Sequence, residues 1–246
     1  MEEYQVLFKS EMVRKILANQ KTNTRRVVKF PHAKSLMAQL FEHQSATVVH
    51  DMPLGGWVFW SGSISKEESD RLYANSSDGL RCPYGETGDR LWVRETWRCE
   101  ELEDGLDGIR YKADNAFCPI ENTRKASDAW IDARRDDSKW RPSIFMPRWA
   151  SRITLSVTSS TPERLLDISE NDAISEGINL IDHNCYENYM VDSDWTYNGR
   201  NYRGCHMVED PIGSYMSLWD SINAERGYGH QVNPWVWNVK FSVVQP

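Results

Sequence analysis

An α+β fold with flanking short helices is predicted by three features: strands of strict apolar–polar alternation, short helices with capping residues, and two long aperiodic stretches. The chain has 246 residues with 40% hydrophobic content, enough to bury a core. No internal repeat or low-complexity linker breaks it. A single domain over 1–246, carrying insertions at about 31–81 and 179–209, is the simplest organisation.

Residues 5–8 read as a strand, and Ser10 can cap a helix whose stripe is Met12, Val13, Ile16 and Leu17, ending near Asn19. Residues 20–26, Gln-Lys-Thr-Asn-Thr-Arg-Arg, then place an amine, two hydroxyls and two guanidiniums in one expected irregular turn. Such a turn is either an anion-binding or nucleophile-bearing loop or a solvated basic turn. The first insertion holds one apolar cluster, Trp57 to Trp60, readable as a hairpin strand. Turn residues at 82–89 introduce a strand over 90–97 in which Leu91, Val93, Glu95 and Trp97 share a face. Glu95 on that apolar face either pairs with a buried arginine or serves a site.

A strand is expected over 109–113, and 114–141 reads as charged loop with at most one helical turn. Residues 143–149 lead into a strand in which Ile153, Leu155 and Val157 alternate with polar residues. Thr161-Pro162 has the form of a helix start, and Ser169 to Asp172 that of a capping box opening a helix over 170–176, stopped by Gly177. Residues 179–207 are polar, aromatic and aperiodic. A helix after Asp210-Pro211 carries Ile212, Tyr215, Met216, Trp219 and Ile222 on one face and ends at Gly227; the last strand alternates through Trp235, Trp237, Val239, Phe241 and Val243.

Composition narrows the function. The net charge of −7 argues against a general nucleic-acid coat and leaves a local basic groove, for which the first thirty residues supply seven Lys and Arg. Five cysteines without a C-x-x-C spacing point to reduced thiols and no zinc; a site built from His183, Cys185 and Cys205 is the alternative. No stretch has the roughly 18 to 20 apolar residues of a membrane span, and the N-terminus lacks a basic and apolar leader, so a cytoplasmic location is expected. Most of the eleven tryptophans are expected in the core.

The pieces Met12-Val13-Arg14, Lys21-Thr22-Asn23-Thr24-Arg25-Arg26, Gly88 to Glu95, Met146 to Ile153, Asp172 to Gly177 and Asn233 to Trp237, in this order, resemble the ASCH domain family. The likeness is to its longer phage and prophage members, which would put the protein in a host cytoplasm. The resemblance implies a small PUA-like β-barrel. A small bacterial member hydrolyses N4-acetylcytidine, and its Lys-Thr-x-Thr-x-Arg motif is similar to residues 21–26 here. By that resemblance Lys21 and Thr24 are catalytic, and a glutamate in a short helix corresponds to Glu176. No metal or other cofactor is implied. Arg25, Arg26, Arg94, Glu95, Arg148 and Trp149 are the expected substrate-binding residues, with Arg148 and Trp149 readable either as a phosphate grip and base stack or as cation–π packing. The expected function is hydrolysis of a modified nucleoside or nucleotide, an N4-acylcytidine amide above all. The alternative is a non-catalytic RNA-binding module of the same fold, or a ribonuclease.

Chemically, amide hydrolysis needs a nucleophile, a base, an acid for the leaving amine and oxyanion donors. Lys21 serves as base only with a lowered pKa, which Arg25 and Arg26 would favour and Glu176 oppose. Lys21 and Thr24 share a face in a helix but not in a strand, so their convergence requires irregular backbone.

Overall fold

The computed structural model describes residues 1–29, 46–49, 58–61, 81–134, 139–183, 185–190, 192, 194–202 and 204–244. It is mixed α+β. In chain order the elements begin β1 (Glu3–Leu7), α1 (Ser10–Leu17), β2 (Asn23–Val27), β3 (Ala46–Val49), β4 (Val58–Ser61), β5 (Arg90–Arg94), β6 (Trp97–Glu101), β7 (Asp107–Tyr111), β8 (Phe117–Pro119) and α2 (Arg124–Ala133). They continue with β9 (Thr154–Arg164), α3 (Glu170–Ser175), β10 (Leu180–Asp182), β11 (Cys185–Glu187), β12 (Thr196–Tyr197), β13 (Arg200–Asn201), β14 (Met207–Val208), α4 (Pro211–Asn223) and β15 (Trp235–Val243). The chain divides into two compact units, Met1–Thr22 with Thr87–Thr158 and Phe241–Pro246, and Asn23–Glu86 with Ser159–Lys240. Strands β9 and β15 each run from one unit into the other. Among the described residues the sheets are open, and none closes into a barrel.

In the first unit β1 lies parallel to β5, and β5 lies antiparallel to the start of β9. Helix α1 forms on the expected stripe and buries Met12, Val13 and Ile16, while Leu17 stays exposed. The cap expected at Ser10 is corrected: the N-cap is Lys9, without a side-chain capping bond, and Ser10 is the first helical residue. Asn19, at φ 54°, takes the left-handed turn that follows the helix. The strand expected over 90–97 is two strands. Burial alternates without interruption through Leu91, Val93, Glu95, Trp97 and Cys99, but the chain leaves the β1–β5 sheet at Glu95 and enters a meander of β6, β7 and β8. Alternation alone does not mark such a change of partner. The meander closes tightly at Gly108, where an added Cβ would stand 2.2 Å from the Phe117 ring. Its core joins Trp97, Ile109, Tyr111 and Met146 to Trp130 of α2.

Helix α2 replaces most of the loop expected over 114–141. Thr123 caps it, its hydroxyl accepting from the Ala126 amide at 3.2 Å. Only Trp130 is buried on this helix, so no apolar stripe announced it.

In the second unit β15 pairs antiparallel with β2, and β3 pairs with β4, the hairpin strand expected from the apolar cluster. Trp57 and the rest of the first insertion lie outside the described residues. The helix start read at Thr161-Pro162 is corrected: β9 runs extended through both to Arg164, since proline's fixed φ suits extended backbone as well as a first helical turn. Helix α3 forms as expected; Ser169 Oγ accepts from the Asp172 amide at 3.1 Å, Glu176 is its C-cap, and Gly177 follows at φ 82°.

The second insertion is also more ordered than its composition implies. Strands β10, β11 and β14 form a sheet, β12 and β13 a hairpin, and Trp195, Tyr202 and Val208 enter the core with Tyr215, Met216 and Trp219 of α4. Strands of two or three residues are too short to show a period. Asp210 caps α4, its carboxylate accepting from the Gly213 amide at 2.7 Å.

Candidate functional site

The basic segment expected as an irregular turn is, from Asn23 onward, the regular strand β2. Its register with β15 sets Asn23 opposite Lys240 and Arg25 opposite Asn238. Residues two apart on a strand, and partners directly across a ladder, share a face. Asn23, Arg25, Asn238 and Lys240 therefore form a polar square on one face of the second unit, while Thr24 and Arg26 belong to the other face of β2.

Three carboxylates meet this square, Glu163 from β9 and Asp172 and Glu176 from α3. The Arg25 guanidinium divides among them: Nε donates to Glu163 at 2.6 Å, a terminal nitrogen to Glu176 at 3.3 Å, and the other to Asp172 at 3.4 Å. Its side chain has no solvent exposure and lies over the Tyr215 ring at 5.9 Å. Burial disfavours the Arg25 charge, yet the surrounding anions outweigh it and raise the guanidinium pKa. Asp172 also accepts from Lys240 at 3.0 Å; burial pushes its pKa up, but these cations hold it below the ordinary range. Burial and the nearby Glu176 carboxylate push the Tyr215 phenol well up, so it stays a neutral hydroxyl.

Glu176 is 3% exposed at the C-cap of α3, an end where the helix dipole disfavours an anion. Arg25 supplies the compensating charge. The Asn23 amide donates to Asp172, and the Asn238 amide to Glu163 at 3.0 Å. Each leaves its Oδ1 buried with no hydrogen-bond partner among the described residues. A buried acceptor left so costs about 1–3 kcal/mol, and such groups are uncommon in native folds.

Thr24 is buried, and its hydroxyl accepts from Arg26, which also donates to the Arg25 carbonyl at 3.0 Å. Lys21 belongs to the first unit, 3% exposed, with its ammonium 5.7 Å from the centre of the Phe8 ring. The other expected binding residues also lie in the first unit. Arg94 donates to Gln5 and to the carbonyls of Ser143 and Ile144. Glu95 is 1% exposed and takes both arms of Arg152, at 2.9 and 3.1 Å, with Asp114 on the far side of that guanidinium. Burial raises the Glu95 pKa against the pull of Arg152. Arg148 pairs with Glu3 at 3.0 Å, and Trp149 packs edge-on against Trp97 with 40% of its surface exposed.

The sequence reading missed Asn23, Glu163, Asp172, Tyr215, Asn238 and Lys240. Four of them come from elements it had placed, Asp172 on α3, Tyr215 on α4 and Asn238 and Lys240 on β15. Asn23 lay in the expected turn and Glu163 in the stretch read as a helix start, and the missing signal was the β2–β15 register. All five cysteines are free thiols, and among the described residues no group of three or more His, Cys, Asp or Glu is arranged to hold a metal ion. No described helix is long and apolar enough to cross a membrane. No protein-family description, curated protein or solved structure matches the chain.

Proposed function

We propose that this protein is a hydrolase of an acylated amine on a modified nucleoside or nucleotide, with N4-acylcytidine as the substrate implied by its ASCH resemblance. The reading takes the fold as PUA-like and the site of action as the cytoplasm. One observation carries it: Glu176, a buried carboxylate, is held by Arg25 in the same unit as the buried Thr24 hydroxyl, which Arg26 engages. Surface decoration needs neither burial nor a shared guanidinium.

In this reading Glu176 takes a proton from a water molecule, whose oxygen bonds to the acyl carbon. The tetrahedral oxyanion accepts a hydrogen bond from Arg25, which lies on the face of β2 that Glu176 meets. The carbon–nitrogen bond then breaks as Glu176 returns the proton to nitrogen, leaving the free amine and a carboxylic acid. Protein side chains supply every group the reaction requires, so EDTA should not slow it.

The test is incubation of the full chain with N4-acetylcytidine, reading cytidine and acetate by chromatography. Glu176→Gln should lower kcat by at least about a hundredfold, the usual share of a general base. Thr24→Ala and Lys21→Ala test the other two residues implied by resemblance. Absence of acetate release from N4-acylated cytidines would overturn the proposal. The exposed Trp149 beside Arg148 favours the second reading, a nucleic-acid-binding module. Salt-dependent RNA binding that weakens in Trp149→Ala, without turnover, would establish it instead.

A further inference from the structure

The polar square of the second unit carries more acceptors than it can use. Asn23 Nδ2 lies 3.3 Å from both the carbonyl and the carboxylate of Asp172, and Asn238 Nδ2 lies 3.0 Å from Glu163. Reversing either amide would set its oxygen against a carboxylate, so charge dictates which way each one points. Each Oδ1 is consequently committed to face elsewhere as an acceptor, and neither meets a donor among the described residues. The two residues are 1% and 3% exposed.

Their register makes them diagonal neighbours on one sheet face. The neighbouring donors are directed elsewhere, since each Arg25 nitrogen, both amide nitrogens and Lys240 lie on carboxylates, and none reaches either Oδ1. The formal charge of the group is −1: Arg25 and Lys240 against Glu163, Asp172 and Glu176. The side chains of Glu163 and Asp172 retain 22% and 23% exposure, so the acceptor-rich cluster reaches solvent there. A ligand matching this face brings N–H donors, not phosphate oxygens.

We propose that Asn23 and Asn238 are the specificity-determining residues of the hydrolase reading, on which this inference rests. They read an N–H on the amino group of the base, so the substrate class is the secondary amide, and a tertiary amide without that N–H is rejected. A site built to bond a substrate N–H discriminates strongly against an analogue lacking it, because its buried acceptors are then left unpaired.

The experiment compares N4-acetylcytidine with N4-acetyl-N4-methylcytidine on the wild-type protein, Asn23→Leu and Asn238→Leu. The wild type should prefer the N–H substrate in kcat/KM by at least about a hundredfold. The leucine variants should compress that ratio to within about tenfold, chiefly by losing rate on the N–H substrate. Leucine removes the acceptor without adding room, so a preference caused by methyl bulk alone would persist in the variants and overturn the proposal. Equal turnover of both substrates by the wild type would also overturn it, while leaving the hydrolase reading intact. Calorimetric binding of cytidine and N4,N4-dimethylcytidine to the wild type needs neither turnover nor a variant. Cytidine should bind at least about tenfold more tightly; this preference without hydrolysis would support N–H reading and sink the hydrolase, and equal or absent binding would overturn the inference.

Discussion

Arg25 shows how one residue can convert an unfavourable cluster into a defined one. Three carboxylates within reach of each other in a mostly buried setting repel and lose hydration, and a guanidinium with three separately directed nitrogens offsets both costs. Truncating it leaves the anions behind. Arg25→Ala should destabilise the protein by about 3–5 kcal/mol, the usual cost of breaking a buried pair from one side. Arg25→Lys should recover little, because an ammonium cannot address three directions at once. Urea unfolding followed by tryptophan fluorescence checks both; a loss below about 1 kcal/mol for Arg25→Ala would mean the cluster relaxes into water. Glu95 with Arg152 repeats the theme in the first unit. An acidic residue on an apolar face was legible there as needing an arginine, but the partner, 57 residues away, was not.

Helix α3 is the element that delivers Glu176, and its boundaries are written locally. Ser169 at the N-cap and Gly177 past the end sit where sequence rules place them, and the structure agrees. Ser169→Ala should cost about 1 kcal/mol through the lost cap bond. Gly177→Ala should cost a similar amount, about 1 kcal/mol, since alanine resists the positive φ. Thermal melts should show both as decreases of a few degrees, and kcat should fall further for Gly177→Ala if the end of α3 sets the Glu176 carboxylate. Local signals made α3 and α4 readable through their caps, and α1 and β15 through their periodicity. They failed for β2, because a run of polar and basic residues looks like a turn until β15 is known to supply its hydrogen bonds. They failed for α2 because one buried tryptophan makes no stripe, and for residues 179–207 because the strands are too short.

At the scale of the whole molecule the ion pairs set the response to acid. Hydrogen bonding from Arg110, helped by Arg98, holds the Glu100 carboxyl at about 2 in the first unit, though its surface position keeps its weight small. In the second unit burial pushes Asp220 up, but hydrogen bonds from His230 and Trp195 outweigh it and keep the carboxyl below the ordinary range. Asp172 is depressed in the same way by Lys240 and Arg25. A carboxylate with a depressed native pKa stabilises fully above its unfolded value of about 4, and that stability drains away as pH falls through the native value. Glu95, raised by burial, has the opposite sign: its contribution is complete below the ordinary carboxylate range and is lost as pH rises through its native value. The depressed groups outnumber it, so stability should be level near neutrality and fall below about pH 4. Asp220→Asn isolates one of them. Asparagine keeps an acceptor oxygen but cannot hold the charge that His230 and Trp195 bind, so the variant should be less stable than wild type at pH 7. The gap should narrow steadily from about pH 4 to pH 2, as the wild-type carboxylate itself becomes protonated. Urea unfolding across that range measures the gap directly, and a difference that stays constant with pH would show that Asp220 acts through shape and hydrogen bonding alone, with no contribution from its charge.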